Sequence, residues 1–195
     1  MIRQVRGDDL DALSAISLAT GYEGGDASHL YTDRRLMGLI YAVPYALLEP
    51  ALAFVVEDDE GVAGFAVGVT DTAQWEARLE RHWWPSLRPR YPMPGGDAAS
   101  WTADQRRAAM IHHPSRTPAE IAQRYPAHLH MNLLPRLQGR GIGTALLERW
   151  IAASREKAIH VAVNCFNEGG LAFWSKRGFT DLALEGRTVW KGRIQ

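Results

Sequence analysis

Apolar and polar positions along the chain switch between a period of two and a period near 3.6, and the switches mark out its elements. Residues 2–6 alternate and predict a short strand. Asp8 then stands as a helix N-cap with Asp11 three residues on, and Leu10, Leu13 and Ile16 form a helical stripe that Gly21, Gly24 and Gly25 end. A second helical stretch covers about 33–48, kinked at Pro44. Two apolar runs, 52–56 and 62–69, flank an acidic Glu57-Asp58-Asp59-Glu60-Gly61 tip and predict an antiparallel hairpin.

Seven of the ten prolines fall within residues 85–126, which predicts a mostly irregular insertion. Helical pieces are expected near 102–112 and 117–125. Thr117, Pro118 and Glu120 suggest a capping box for the second of these. So long a connection inside a compact domain suits a substrate-covering segment. Beyond it the pattern turns regular again. A strand is expected over 128–134, then a glycine turn, then a helix with Ile142, Leu146, Leu147, Trp150 and Ile151 on one face. A strand over 159–166, a helix over 168–177 closed by Gly178, and a hairpin over 179–184 and 188–191 complete the chain. The order β α α β β, insertion, β α β α β β is mixed α/β.

Composition narrows the function classes. A length of 195 residues suits one domain spanning 1–195, and 46% hydrophobic with 23% charged residues excludes global disorder. Basic and acidic residues number 22 each, which argues against whole-chain nucleic-acid binding. The balance hides an asymmetry: residues 1–60 carry a net −7 and the remainder +7. A single cysteine, Cys165, excludes an internal disulfide framework and a Cys-rich zinc site, and it suits inert packing better than nucleophilic catalysis. The acids at 8, 9 and 11 come too early for a basic-then-apolar leader, so none is expected. The longest uncharged apolar run, residues 36–48, is too short to span a bilayer, so the cytoplasm is the expected location, without a membrane partner. His112-His113 lacks the spacing of a metal site, Arg106-Arg107 reads as a solvated helix face, and Trp75, Trp83 and Trp84 are expected to pack the insertion down. Monomer and homodimer both stay open.

The strand–glycine turn–helix step carries the clearest chemistry. Its turn, Gln138-Gly139-Arg140-Gly141-Ile142-Gly143-Thr144, opens a helix whose first amides have no intrahelical partner, which suits an anion. Thr144 breaks the Gly-x-Gly-x-x-Gly dinucleotide fingerprint, and there is no Gly-Lys-Ser/Thr of a Walker loop. A tight turn that binds nothing is the plainer alternative.

Gln138-x-x-Gly141-x-Gly143 after an apolar strand resembles the acetyl-coenzyme A signature of the GNAT superfamily of N-acetyltransferases. Asn167-x-x-Gly170-x-x-Phe173-Trp174-x-x-x-Gly178-Phe179 resembles that superfamily's second signature. More narrowly, Tyr125-Pro126-Ala127-His128-Leu129-His130, Leu133-Leu134-Pro135 and the insertion are similar to the acetyltransferase-like domain attached to O-GlcNAcase and its bacterial stand-alone relatives. The resemblance implies a mostly antiparallel mixed sheet flanked by helices, with splayed central strands and the insertion before the cofactor-binding strand. It further implies that acetyl-CoA lies with its pantetheine arm along Leu133 and Leu134 and its pyrophosphate on the amides of residues 138–144. Asn167, Phe173 and Trp174 would line the arm. The implied activity is acetyl transfer to an unidentified amine, a small molecule or a protein lysine. An acetyl-CoA-binding sensor or interaction module without efficient turnover is the alternative.

Acetyl transfer needs a neutral amine, and a lysine-like amine of pKa about 10.4 is less than ~0.1% neutral at pH 7. His128 and His130 share one face of the strand before the turn and are candidate bases. Trp174 occupies the place where many superfamily members have a Tyr that protonates the leaving thiolate. Indole N–H donates a hydrogen bond but no usable proton.

Overall fold

The computed structural model describes residues 1–194. The chain opens with β1 (Ile2–Gln4) and α1 (Leu10–Ala19). Asp8 does not cap α1. A 3₁₀ turn precedes the helix, and the neighbouring Asp9 accepts the Arg6 amide (2.7 Å) and pairs with Arg3 (2.6 Å). The expected long second helix is two short ones, α2 (Leu36–Tyr41) and α3 (Val43–Leu48), which break at Ala42 so that Pro44 falls in the first turn of α3. The hairpin is β2 (Ala53–Asp58) and β3 (Gly61–Val69).

Residues 70–84, to which the pattern gives no element, hold α4 (Thr72–Arg78) and a π-helical turn, Leu79–Trp83, leading into α5 (Trp84–Leu87). Asp71 caps α4 by accepting the Gln74 amide at 2.9 Å. Within the insertion lie α6 (Ala103–His112), with a full Thr102/Gln105 capping box, and α7 (Ala119–Arg124). The Thr117 capping box does not form, because the Thr117 amide donates instead to Glu76 (2.8 Å). The C-terminal half runs β4 (Ala127–Leu133), α8 (Ile142–Ser154), β5 (Ala158–Asn164), α9 (Glu168–Lys176), β6 (Thr180–Glu185) and β7 (Thr188–Ile194).

The strands form one mixed sheet in the order β1-β2-β3-β4-β5-β7-β6, antiparallel except between β4 and β5, as the resemblance implies. That parallel seam is short. Only Ala127↔Ile159 and His128↔His160 are in register, and beyond them the strands part.

Two cores cover the sheet. On one face, α8 buries Leu146, Leu147 and Trp150 against Phe54, Leu129, Ile159 and Val161, so this core crosses the seam. On the other, α1 to α6 pack around Phe65, Val67 and Val69 of β3, with Trp75 and Trp84 among the buried side chains. Close packing here needs a residue without a side chain at Gly68, where a Cβ would meet the His128 carbonyl and the Trp150 ring (2.7 Å). Trp83 ties the insertion down by donating to the Leu39 carbonyl (2.8 Å). Arg107 is not solvated: it lies over the Tyr41 ring (5.4 Å) and donates to the Tyr31 hydroxyl (3.0 Å).

Candidate functional site

β4 carries three features along its length: a histidine group joined through Tyr45 where it still pairs with β5, an open strand edge beyond that, and a free backbone cradle after its end. The cradle is the glycine turn. Gly139 (φ +70°) and Gly141 (φ +76°) adopt the left-handed conformation that favours glycine, and a Cβ at either would point into open space. Among the described residues, the amides of 139–143 donate to no group in the chain. They open α8, a 13-residue helix whose positive dipole end adds to them.

The other signature residues gather around this turn. Gln138 donates to the Leu133 carbonyl (2.8 Å), holding the turn against the end of β4, and Leu134 packs into both cores. Gly143 leaves room for Phe173, whose ring would lie 3.1 Å from a Cβ there. Ile142 packs partly buried against the α8 core. Arg140 is exposed, its guanidinium 3.4 Å from the Arg136 carbonyl. The Thr144 hydroxyl is held by Arg177, which also lies over Phe173 (5.0 Å), so Thr144 ties α8 to α9 and does not face open space unpaired. Asn167 caps α9 through Oδ1 to the Gly170 amide (2.8 Å), leaving its Nδ2 without a partner among the described residues. Trp174 is 7% exposed, edge-on to Phe173 and Phe179 within the core.

Free amides at a helix start, a turn that tolerates no Cβ without filling the cradle, and strand edges beside it form a donor set suited to a phosphorylated ligand with an extended amide-bearing arm. The residues present therefore fit coenzyme A.

His128 and His130 point to the helical face, and Tyr45 bridges them: its hydroxyl lies 2.8 Å from His128 Nε2 and 3.1 Å from His130 Nε2. At the far side of His128, Nδ1 lies 2.7 Å from Thr72 Oγ1, which is also 2.7 Å from the Pro126 carbonyl. These contacts assign the protons. A carbonyl only accepts, so the Thr72 hydroxyl donates to Pro126 and accepts from His128 Nδ1–H. His128 Nε2 is then bare and accepts from the Tyr45 hydroxyl, which in turn accepts from His130 Nε2–H. His130 Nδ1 is left with a lone pair and no partner among the described residues. Of the two histidines expected as bases, His128 has both nitrogens occupied, and His130 has one to offer.

A third histidine, which sequence spacing did not single out, completes the group. His160 faces His128 across the seam (ring centroids 5.4 Å), and its Nδ1–H donates to the Tyr125 carbonyl (2.6 Å). Burial and the neighbouring imidazoles hold His128 well below the usual histidine range. Burial, reinforced by His160, holds His130 down at about 4. Burial also lowers His160 and raises the Tyr45 hydroxyl well above the ordinary phenol. All three imidazoles are neutral at pH 7. Beside them the Trp75 indole N–H is buried without a hydrogen bond. Its neighbour Tyr45 (ring centroids 4.4 Å) feels it as a donor that tempers that hydroxyl's upward shift, although the pair falls outside hydrogen-bond geometry. Cys165 is half-buried at the end of β5, and among the described residues no cluster of His, Cys, Asp and Glu is arranged to hold a metal ion. No helix in them is long and apolar enough to cross a membrane.

Comparison with known proteins bears on this geometry. The sequence pattern of the Acetyltransferase (GNAT) family matches residues 18–179. The crystal structure of SsHAT is 35% identical and superposes with a TM-score of 0.91, covering 100% of this chain and 97% of that one. The yncA protein of Salmonella typhimurium, solved with its cofactor acetyl-CoA, shares the fold at 17% identity and a TM-score of 0.55, covering 100% of this chain and 92% of that one. Protein O-GlcNAcase of Rattus norvegicus is 21% identical over 137 residues, 68% of this chain. The matched region spans only 15% of that much longer relative.

Proposed function

The chain belongs to the acetyltransferase (GNAT) family, and from that premise we propose that it is an acetyl-CoA-dependent N-acetyltransferase acting by direct attack of an amine. The free amide cradle over residues 139–143, beside the open edges of β4 and β5, is the observation that carries this reading. Those amides would take the pyrophosphate. The β4 edge near Leu133 and Leu134, with Asn167 Nδ2, would take the pantetheine amides, and Phe173 would wall the arm. Charge-assisted hydrogen bonds contribute roughly 1.5–3 kcal/mol each, so three or four give micromolar affinity after ordering costs. Acetyl-CoA supplies a thioester-activated acetyl group when bound.

Two imidazoles of this site keep a lone pair without a partner among the described residues, His160 at Nε2 and His130 at Nδ1, and His130, on the strand before the turn, is the one that would receive the amine's proton. Tyr45, His128 and Thr72 act through it: their hydrogen bonds fix its tautomer, with the proton on Nε2 and the lone pair on Nδ1. Buried Trp174 brings no acid, so the thiolate leaves unaided, which its pKa near ~8.5 permits. The absence of that acid, together with the weak basicity of His130, favours as a second reading an acetyl-CoA-binding module without efficient turnover.

Thermal unfolding with acetyl-CoA, and with free CoA as control, tests the shared core of both readings. At 100 times the dissociation constant a ligand adds about 2.7 kcal/mol, or roughly 5–10 °C for a chain of this size. No shift at millimolar ligand refutes the cofactor site. Thiol release above the no-enzyme rate with any amine then excludes the second reading.

A further inference from the structure

Where the helical layer meets β4, β5 and β7 lies a cavity of about 190 Å³. Tyr41, Trp84 and Trp190 contribute aromatic walls, and His130 and Trp75 also line it. Met110 of α6 and residues 114–117, between α6 and α7, contribute to its lining, so these are the parts of the insertion that border the site. An apolar cavity of roughly 150 Å³ is known to hold benzene, so this one has room for a ring and a small substituent.

Its electrostatics select the kind of amine. Glu76 is the one carboxylate in the lining, and both its oxygens are taken, by the Thr117 amide (2.8 Å) and Arg116 (3.4 Å). An entering ammonium thus finds no free counter-ion. Aromatic faces return about 0.5–2 kcal/mol to a cation, less than the several kcal/mol an unpaired ion loses on leaving water. The surroundings that keep three imidazoles neutral act on an ammonium in the same direction. The buried Trp75 N–H, 3% exposed as a residue, supplies a donor with no acceptor. A buried polar group left so calls for a partner.

We propose that the acceptor is a neutral aryl amine carrying a hydrogen-bond acceptor on its ring, bound in this cavity with its nitrogen toward His130 Nδ1 and the ring acceptor on the Trp75 indole. The inference rests on the acetyl-transfer reading and names the substrate class of that site. An aryl amine, its lone pair shared with the ring, arrives uncharged at pH 7, unlike an alkyl amine of pKa about 10.4. The nitrogen takes the acetyl group as the carbon–sulfur bond breaks, the sulfur leaves as thiolate, and the N–H proton passes to His130 Nδ1 and on to solvent. A weak base suffices because it receives a proton only after the nitrogen has been acylated.

The test compares 4-methoxyaniline with 4-methoxybenzylamine, which differ by one methylene and by charge. Thiol release is followed at saturating acetyl-CoA, and the amide is identified by mass spectrometry. Relative to the uncatalysed rates of the same amines, kcat/KM is expected to favour the aniline by roughly tenfold or more. Trp75→Phe is expected to raise KM for 4-methoxyaniline about 2- to 10-fold while sparing 4-methylaniline, which lacks the ring acceptor. Both amines are read in the same variant, so a folding defect would register on both. Preference for the benzylamine, or equal losses for the two anilines in Trp75→Phe, overturns the proposal. Calorimetric titration of acetyl-CoA on the same protein separates the two levels. Binding without acetylation of the aniline overturns the acceptor class alone, and absence of binding overturns the cofactor reading on which it rests.

Discussion

Acidification removes stability through His130, and the structure sets the window. In the unfolded chain this imidazole titrates at its ordinary 6.5, whereas in the fold burial beside His160 lowers it to about 4. Between those values the unfolded state binds a proton that the folded state does not, so stability is fully present above pH 6.5 and declines as pH falls toward 4. Each pH unit in this window costs about 1.36 kcal/mol, so the full interval is worth ~3 kcal/mol. From pH 6.5 to 5.0 the loss is about 2 kcal/mol, or roughly 4–8 °C in Tm for this size of protein. His130→Gln removes the titrating group but keeps an N–H for Tyr45. Its Tm is therefore expected to fall less over the same interval, by about that amount, in scanning calorimetry at matched ionic strength. His128 and His160 titrate in both proteins and cancel in the comparison to first order. Parallel Tm–pH curves for the two proteins would refute the placement of His130 as a neutral, desolvated imidazole.

Two further perturbations probe neighbouring parts of the site. Thr72→Val strands the buried His128 Nδ1–H and is expected to cost about 1–3 kcal/mol in urea unfolding, with Thr72→Ser restoring most of it; a neutral Val substitution would contradict the proton assignment along the chain. Gly141→Val forces a branched residue to φ +76° and fills the open cradle, so a folded variant should bind acetyl-CoA at least ~10-fold more weakly in calorimetric titration. Unchanged affinity would place the cofactor elsewhere.

The signals that are local in sequence proved legible. Period and glycine placement predict β4, the turn, α8 and α9 nearly to the residue, because each is dictated by neighbours within one or two turns. The Asp71-Thr72-Ala73-Gln74 start of α4 was available as a capping signal, but the π turn and Pro85 behind it blur the helical period. The cap at Asp8 fails because Asp9, anchored by Arg3, takes the local amide of Arg6, and the one at Thr117 because Glu76 takes the Thr117 amide. The site itself was half visible. His128 and His130 announce themselves by alternation on one strand. Tyr45 is 83 residues from His128 and His160 lies on another strand, so only the fold shows that they share a hydrogen-bond chain and a seam with those two. Which of the two strand histidines keeps a free nitrogen depends on Thr72 and Pro126, which no spacing rule connects.

The two-rung seam between β4 and β5 divides the sheet into a half of β1 to β4 and a half of β5 to β7, bridged from below by the α8 core. Such a junction behaves as a boundary between cooperative units: amide protons along its parted edges exchange with solvent without global unfolding, while those of the β2–β3 and β5–β7 ladders report the stability of their own halves. A ligand that lays a polar arm in the gap acts as the missing rungs of the ladder. It fuses two foldons into one, and protection gained on both sides of the seam at once would record that fusion.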